Sequence, residues 1–284
     1  MLDVDGPVHV LDFGGYGTPV VFVHGATSCA ATWLGIANGL ARAHRVIAPD
    51  LIGHGETPRA GRTATLRADQ RVLDSVLDEF GLTEVTLVSI TRGGLVAALE
   101  AAARPDRIRR VVILEPIAVD RRHIPPLGML AILPLSMFPR LADRIAVRLF
   151  RARDGPDVAV QRWLDGACAH PDRVDIEQME ALVASMTVRL HDGAPFVAWA
   201  EAFREFGGIL LHRRLDSFYS SITQPVLVIV GRDSTSASVP AVRAVARRHP
   251  GWKLEVLEGV GHPALEAPRV ASDVILKFAS GAGT

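Results

Sequence analysis

Cysteine is scarce: the 284-residue chain has two, Cys29 and Cys168. Two thiols cannot build a disulfide framework, and neither stands in a C-x-x-C or His-rich pattern, so no metal is expected. Net charge is absent too, because 31 basic and 31 acidic side chains cancel. A nucleic-acid binder shows a basic excess or patch, so that class of partner is not expected. Long apolar runs are missing as well. The most apolar stretch, Pro125 to Phe138, is too short for a bilayer core and is broken by Pro134. It reads as a buried or pocket-lining helix, and no membrane partner is expected. The opening Met1-Leu2-Asp3-Val4-Asp5 lacks the basic start and apolar run of a secretory leader, which predicts a cytoplasmic location. Hydrophobic residues at 49% and charged residues at 22% exclude the disordered class. The length suits one large α/β domain or two small ones.

What is present is a rhythm of short apolar runs bounded by turn residues: Val20–His24, Val46–Asp50, Val85–Ser89, Val111–Glu115, Val226–Val230 and Leu254–Leu257. Valine, isoleucine and leucine without polar alternation predict strands covered on both faces, as in a parallel sheet. Helical patterns lie between them. From Leu66 to Phe80 the apolar residues fall mostly on one face, Val96–Ala103 is alanine-rich and stops before Pro105, and Ala267–Phe278 gives a C-terminal helix. Alternating strands and helices imply right-handed crossovers and an α/β, mostly parallel, doubly wound sheet.

The rhythm breaks between about Pro116 and Ser221, where helical patterns occur without a convincing strand. The economical reading is a core of residues 1–116 and 222–284 with a helical cap inserted at 117–221. Leu127, Met129, Leu130, Ile132, Leu133, Leu135, Met137 and Phe138 in that insertion suit either an apolar pocket or ordinary cap packing. A small polar loop, Ser234 to Ser238 (STSAS), interrupts the core segment.

In an open parallel sheet, ligands bind beyond the carboxyl ends of the strands. The first strand is followed by His24-Gly25-Ala26-Thr27-Ser28 and then Trp33, the next by Asp50-Leu51-Ile52-Gly53-His54-Gly55. The third leads through Ser89-Ile90-Thr91-Arg92-Gly93-Gly94 into a helix, and the last into Gly259-Val260-Gly261-His262. Individually these motifs are weak. In this order and spacing, the chain resembles the α/β-hydrolase superfamily over essentially its whole length, with the insertion in the place of that family's cap.

The resemblance implies a nucleophile elbow, normally Gly-x-Ser-x-Gly on a strained strand-to-helix turn. Here Thr91 takes the nucleophile's place and Ser89 that of the first glycine. Threonine keeps the hydroxyl, but its methyl group restricts χ1, and a β-branched residue on a strained backbone costs about 1–3 kcal/mol. Threonine does serve as a nucleophile in other enzymes. By the same resemblance His262 is the general base, and the backbone N–H groups of Ala26 and Arg92 form the oxyanion hole, a device worth about 3–4 kcal/mol. The helix after the oxyanion loop is packed by Trp33.

For the triad acid three readings stay open. The family's Gly-x-x-Asp appears as Gly231-Arg232-Asp233-Ser234, which puts Ser234 where the acid belongs and Asp233 one residue early. Asp233 is the first choice, Glu115 at the end of the preceding strand is the alternative, and no acid at all is the third. Substrate contacts are expected from His24 and from the Arg92 side chain, which suits a carboxylate or enolate oxygen unless it pairs with a local carboxylate.

Two kinds of enzyme follow, and one non-enzyme. In the first, Thr91 attacks an apolar ester or thioester, His262 shuttles the proton and water completes the hydrolysis. In the second, His262 abstracts an acidic proton, the oxyanion hole holds the enolate and a leaving group departs, as in a lyase or cyclase. A binding protein would share the pocket without needing His262. Haloalkane dehalogenase-like and epoxide hydrolase-like chemistry requires an aspartate at position 91, which threonine cannot replace. No cofactor is expected, the partner is a small molecule, and the sequence does not fix an oligomeric state.

Overall fold

The structure, a computed structural model, describes residues 1–118, 155–191, 197–211 and 214–281. The apolar stretch from Pro125 to Phe138 lies outside the described residues. Nine strands occur among the described residues: β1 (Leu2–Asp3), β2 (Pro7–Val8), β3 (Val10–Gly14), β4 (Pro19–Val23), β5 (Arg45–Pro49), β6 (Val85–Ile90), β7 (Ile108–Leu114), β8 (Val226–Gly231) and β9 (Trp252–Leu257). Seven form one sheet in the order β3-β5-β4-β6-β7-β8-β9, and β1 pairs with β2. Only β3 runs antiparallel to its neighbour in the large sheet; the pairings from β5 to β9 are parallel.

The six parallel strands are those expected from the apolar runs. Their residues divide by parity between two cores. Val20, Phe22, Val46, Ala48, Val88, Ile90, Val112 and Leu114 face one layer, where α1 (Leu34–Leu40) and α10 (Pro268–Ala279) supply Ile36, Leu40, Ala271 and Ile275. Val21, Val23, Ile47, Leu87, Val111 and Ile113 face the other, covered by α2 (Leu66–Glu79), α3 (Arg92–Ala103) and α8 (Val239–Arg248). Both faces being dry explains why no polar alternation marks these strands. Trp33 stacks on Phe22 at 4.6 Å between ring centroids and is fully buried, the packing role expected for it.

The antiparallel β3 escaped the sequence reading because Val10–Gly14 is a half-exposed edge that carries Asp12. Helix α3 begins four residues earlier than its alanine run suggested. Gly93 and Gly94 are poor helix formers, yet the fold needs them where α3 crosses the sheet. A Cβ on Gly93 would lie 2.3 Å from the carbonyl oxygen of Val23 and 2.5 Å from that of His24. Between β7 and β8 the described residues form α4 (Pro156–Ala167), α5 (Ile176–His191), α6 (Val197–Leu211) and α7 (Leu215–Ser220), with no strand among them. That is the helical insertion in a mostly parallel sheet.

Gly93 gives a test with an inverted sign. Alanine in place of a helical glycine ordinarily stabilises by about 0.5–1 kcal/mol. Here Gly93→Ala is expected to lower stability by about 1–3 kcal/mol, because the methyl group meets immovable backbone oxygens. Chemical denaturation of the two proteins measures the difference.

Candidate active site

The parallel register of β6 and β7 pairs Ile90 with Leu114, so Thr91 and Glu115 leave adjacent strands at the same level. Both then adopt a left-handed backbone, φ 47° at Thr91 and 46° at Glu115. For residues with a Cβ this is strained, and such strain persists only where the surroundings enforce it. The enforcing contacts are visible. Thr91 N–H donates to Leu114 O (3.1 Å), Glu115 N–H donates to Ile229 O (2.8 Å), and Gly94 N–H donates to Thr91 O (3.0 Å). Thr91 stands at the N-cap of α3 without using its hydroxyl to cap the helix. That hydroxyl lies so close to Gly25 that a Cβ there would come within 2.5 Å of it.

Thr91, Glu115 and His262 line one cavity of about 400 Å³, closed on other sides by Gly25, Thr27, Ser28 and Trp163. His262 arrives from the loop after β9 at the start of α9 (Pro263–Glu266). Glu266 fixes that loop, accepting from the N–H groups of Gly261 (2.8 Å), His262 (2.9 Å) and Ala169 (2.7 Å). Burial alone would raise the Glu266 pKa, but these backbone donors hold it below the ordinary carboxylate value. Sequence reasoning missed Glu266, whose signal was a carboxylate four residues after the histidine.

The His262 ring is buried and, among the described residues, its Nδ1 has no hydrogen-bond partner. Burial pushes its pKa down to about 4, with Glu266 pulling weakly the other way, so the imidazole is neutral at pH 7. Asp233, expected first as its acid, lies elsewhere. Its carboxylate is 44% exposed and 3.8 Å from His170 Nε2, while its N–H donates to Val260 O at 2.9 Å. The one-residue offset in the loop turns Asp233 outward and Ser234 inward.

Ser234 Oγ donates to Glu115 Oε1 at 2.5 Å, and Ser236 Oγ donates to Oε2 at 2.9 Å. Ser234 Oγ also accepts from the N–H groups of Ser236 and Ala237, so its proton is committed to the carboxylate. Burial pushes the Glu115 pKa up to about 7; the two serine hydroxyls oppose that rise and the charge of Glu266 adds to it. The polar loop singled out in the sequence is thus a clasp for a buried carboxyl group.

Two expected substrate contacts are corrected. The Arg92 side chain is buried away from the cavity, donating through Nη1 to Asp69 Oδ2 (2.7 Å) and through Nη2 to Ala64 O (3.2 Å). Glu205 stands 3.6 Å from Nη2. A guanidinium out of water needs a carboxylate, and α2 presents one. His24 is fully buried with both nitrogens engaged: Nδ1 donates to Gly25 O (2.8 Å), and Nε2 accepts from Leu51 N–H (2.9 Å). His54 lies between Ile52 O and Ala26 O at 2.9 and 2.6 Å. Asp50 accepts from Ala30 N–H (2.6 Å) and Glu56 N–H (3.0 Å). These motif residues stitch the Gly25-Ala26 turn to the loop after β5.

A family model described as alpha/beta hydrolase fold matches residues 18–267. The chain belongs to the α/β-hydrolase fold family. This α/β-hydrolase is 34% identical over 110 residues to a haloalkane dehalogenase of Agrobacterium fabrum, a match covering 39% of this chain and 36% of that protein. It is 37% identical over 119 residues to lipase LipV of Mycobacterium tuberculosis, covering 41% of this chain and 45% of the lipase. Both matches thus span less than half the relative's length. Among solved structures, a thermophilic esterase from Thermogutta terrifontis superposes with a TM-score of 0.72 at 23% identity, covering 98% of this chain and 94% of the esterase. That likeness carries the fold alone. Among the described residues no group of His, Cys, Asp and Glu is arranged to hold a metal ion, and no helix is long and apolar enough to cross a membrane.

The Arg92–Asp69 pair sets a stability test. Asp69→Ala leaves the buried guanidinium with Glu205, 3.6 Å from Nη2, as its remaining ion-pair partner and is expected to cost this α/β-hydrolase up to about 3–5 kcal/mol in equilibrium unfolding. The double variant Asp69→Ala, Arg92→Met is expected to recover most of that loss. Equal losses in both would show that the cost comes from losing the pair itself and not from a stranded charge.

Proposed function

We propose that this α/β-hydrolase hydrolyses an apolar carboxylic ester or thioester through an acyl-enzyme on Thr91. The observation that carries the reading is Thr91 itself: a β-branched residue held at φ 47°, its hydroxyl spared from helix capping, in the cavity that His262 also lines. Strain of this kind is retained where it presents a group to a ligand. The sequence likeness to a lipase agrees with the reaction class.

In this mechanism the Thr91 hydroxyl oxygen attacks the substrate carbonyl while neutral His262 takes its proton. The tetrahedral oxyanion is received by the backbone N–H groups of Ala26 and Arg92, at the turn fixed by His54 and at the start of α3. The imidazolium then protonates the departing alcohol or thiol. Water enters, gives a proton to His262 and attacks the acyl carbon; as the bond from that carbon to Thr91 Oγ breaks, His262 returns the proton to Oγ, releasing the acid and regenerating Thr91. Glu115, within the same cavity, is the carboxylate assigned to balance the imidazolium, in preference to the outward-facing Asp233.

A second reading, base-catalysed elimination, draws support from the Nδ1 of His262, which has no hydrogen-bond partner among the described residues. A base that abstracts a carbon-bound proton needs no covalent step and is less dependent on an orienting acid. Substitution at Thr91 separates the two. Under hydrolysis Thr91→Ala loses kcat for p-nitrophenyl esters by about 10⁴-fold or more, and Thr91→Ser stays active. Under elimination Thr91→Ala keeps substantial turnover while His262→Ala is inactive. Retained ester hydrolysis in Thr91→Ala would overturn the nucleophile assignment.

The pH profile tests Glu115. If its ionised form is required, kcat/KM rises through about pH 7 in the native enzyme. Ser236→Ala removes a hydrogen bond that favours the carboxylate, so the rise moves to higher pH. Glu115→Gln is expected to lower kcat/KM by about 10- to 100-fold and to abolish that rise, leaving only the His262 ionisation near pH 4. Asp233→Asn is expected to stay within about twofold of the native enzyme, the usual span for an exposed residue outside the site.

A further inference from the structure

A second hollow, of about 40 Å³, adjoins the catalytic cavity. The two share three lining residues, Thr27, Ser28 and Trp163. The shared residues are therefore the partition between them. Trp163 projects from α4, and its ring meets that of His262 edge to face, with centroids 6.4 Å apart. Its Nε1 donates to Thr27 Oγ1 at 3.2 Å, which latches the cap helix to the turn after β4. The far end of α4 is pinned as well, because Thr235 Oγ1 bonds Gly166 O (3.0 Å) and Ala167 O (3.1 Å).

The chambers differ in chemistry. The catalytic cavity holds Thr91, Glu115, Ser236 and His262. Beyond the partition, Val160, Leu182 and Met186 make an apolar wall, with the buried Ser185 and Arg189 as the polar members of the lining, and methionine adapts readily to a flexible tail. The position of the partition relative to the chemistry decides which part of a substrate meets it. Thr27 directly follows Ala26, whose N–H is assigned to the oxyanion. The acyl chain and the oxyanion are bonded to the same carbon, so a chain leaving that carbon on the Ala26 side runs along Thr27 to Trp163.

We propose that Trp163, latched by Thr27, is the residue that limits acyl-chain length, and that the hollow behind it is the distal part of the acyl site. This rests on the hydrolytic reading above and narrows it to esters of short acyl chains. With the indole in place, a chain of more than about four carbons meets its face; without it, the tail continues into the apolar hollow and gains burial with each methylene.

The test is kcat/KM for p-nitrophenyl esters from acetate to decanoate, in the native enzyme and in Trp163→Ala, Trp163→Phe and Thr27→Val. The native profile is expected to peak at short chains. Trp163→Ala is expected to move the optimum to six to ten carbons, with a gain approaching fourfold per added methylene, the ratio that about 0.8 kcal/mol of burial gives. Trp163→Phe and Thr27→Val cut the latch while keeping most of the wall. They are expected to shift the optimum in the same direction by a smaller factor, and they carry the test if the alanine variant fails to fold. A profile in all three variants parallel to the native one overturns the proposal. So does a gain that follows alcohol length in a series from ethyl to octyl acetate. Calorimetric binding of n-alkan-2-ones of three to ten carbons separates the proposal from the hydrolytic reading. If no ester is turned over but Trp163→Ala extends the length dependence of ketone affinity, the gate stands and the acyl-enzyme falls. Ketone affinities with unchanged length dependence sink the gate.

Discussion

Two neighbouring strands end in residues bent into the left-handed region, and the rest of the site is arranged around that bend. An L-residue with a Cβ pays about 1–3 kcal/mol for such a backbone, so Thr91 and Glu115 together represent a sizeable fraction of a typical net stability. The cost is borne by the dry sheet beneath. Leu114 and Ile229 offer the carbonyl oxygens that receive Thr91 and Glu115 after regular pairing has ended. Gly93 lets α3 start against the backbone of β4, which lifts the Thr91 side chain off the end of the sheet and into the cavity. A bulkier residue at 93 would push the helix outward and relax the turn, and the hydroxyl would no longer meet the loop that carries Gly25.

The cavity controls charge by exclusion of water. Burial moves His262 down and Glu115 up, each toward its uncharged form, and no bound counter-ion is needed to explain either direction. At neutral pH the imidazole is therefore unprotonated, in one cavity with a carboxyl group near its midpoint. Such a site is compatible with an apolar, uncharged substrate in the ground state. In the proposed mechanism charge develops only when His262 takes a proton, and the backbone N–H groups and Glu115 assigned to receive it would already be in place. Preorganised partners of this kind need no rearrangement during reaction, which is why they are effective in a medium of low dielectric. Glu266 contributes differently: its charge is consumed by backbone donors, so it fixes where His262 stands more than how it titrates.

Much of this was legible in the sequence, and the parts that were not share a cause. The six parallel strands announced themselves because both sheet faces are covered, which removes polar alternation. The order of the strand-end motifs located Thr91 and His262, since an open parallel sheet presents its loops on one edge. Side-chain direction was the missing information. Asp233 and Ser234 are neighbours, and only the local turn decides which faces inward. Arg92 follows the elbow directly, yet a helical side chain one residue on points to a different neighbour, here Asp69 on α2. His24 looked like a pocket residue because it ends a strand; its nitrogens are taken by backbone groups that are remote in sequence. Trp163 gave no local signal, as its meaning depends on α4 folding back over the turn after β4.

The serine loop links these elements into one argument. Where the family pattern calls for a carboxylate that accepts a hydrogen bond, this chain has Ser234, a hydroxyl that donates one. A donor in that place is useful only if an acceptor faces it, and the acceptor is Glu115 at the end of the neighbouring, preceding strand β7. On the reading proposed above, the acid stands one strand inward of the family's usual place, held by the loop in which that place lies. Ser236 completes the clasp while Thr235, between the two serines, bonds the last turn of α4. Three consecutive hydroxyls thus tie the carboxyl group and the cap helix to one short turn. Because Trp163 rides on that same helix, the indole and the Glu115 carboxyl group, which line one cavity, are positioned by one segment. If Trp163 limits the acyl chain as proposed, a substitution in this loop acts on both, and its effects on substrate choice and on pH dependence appear together.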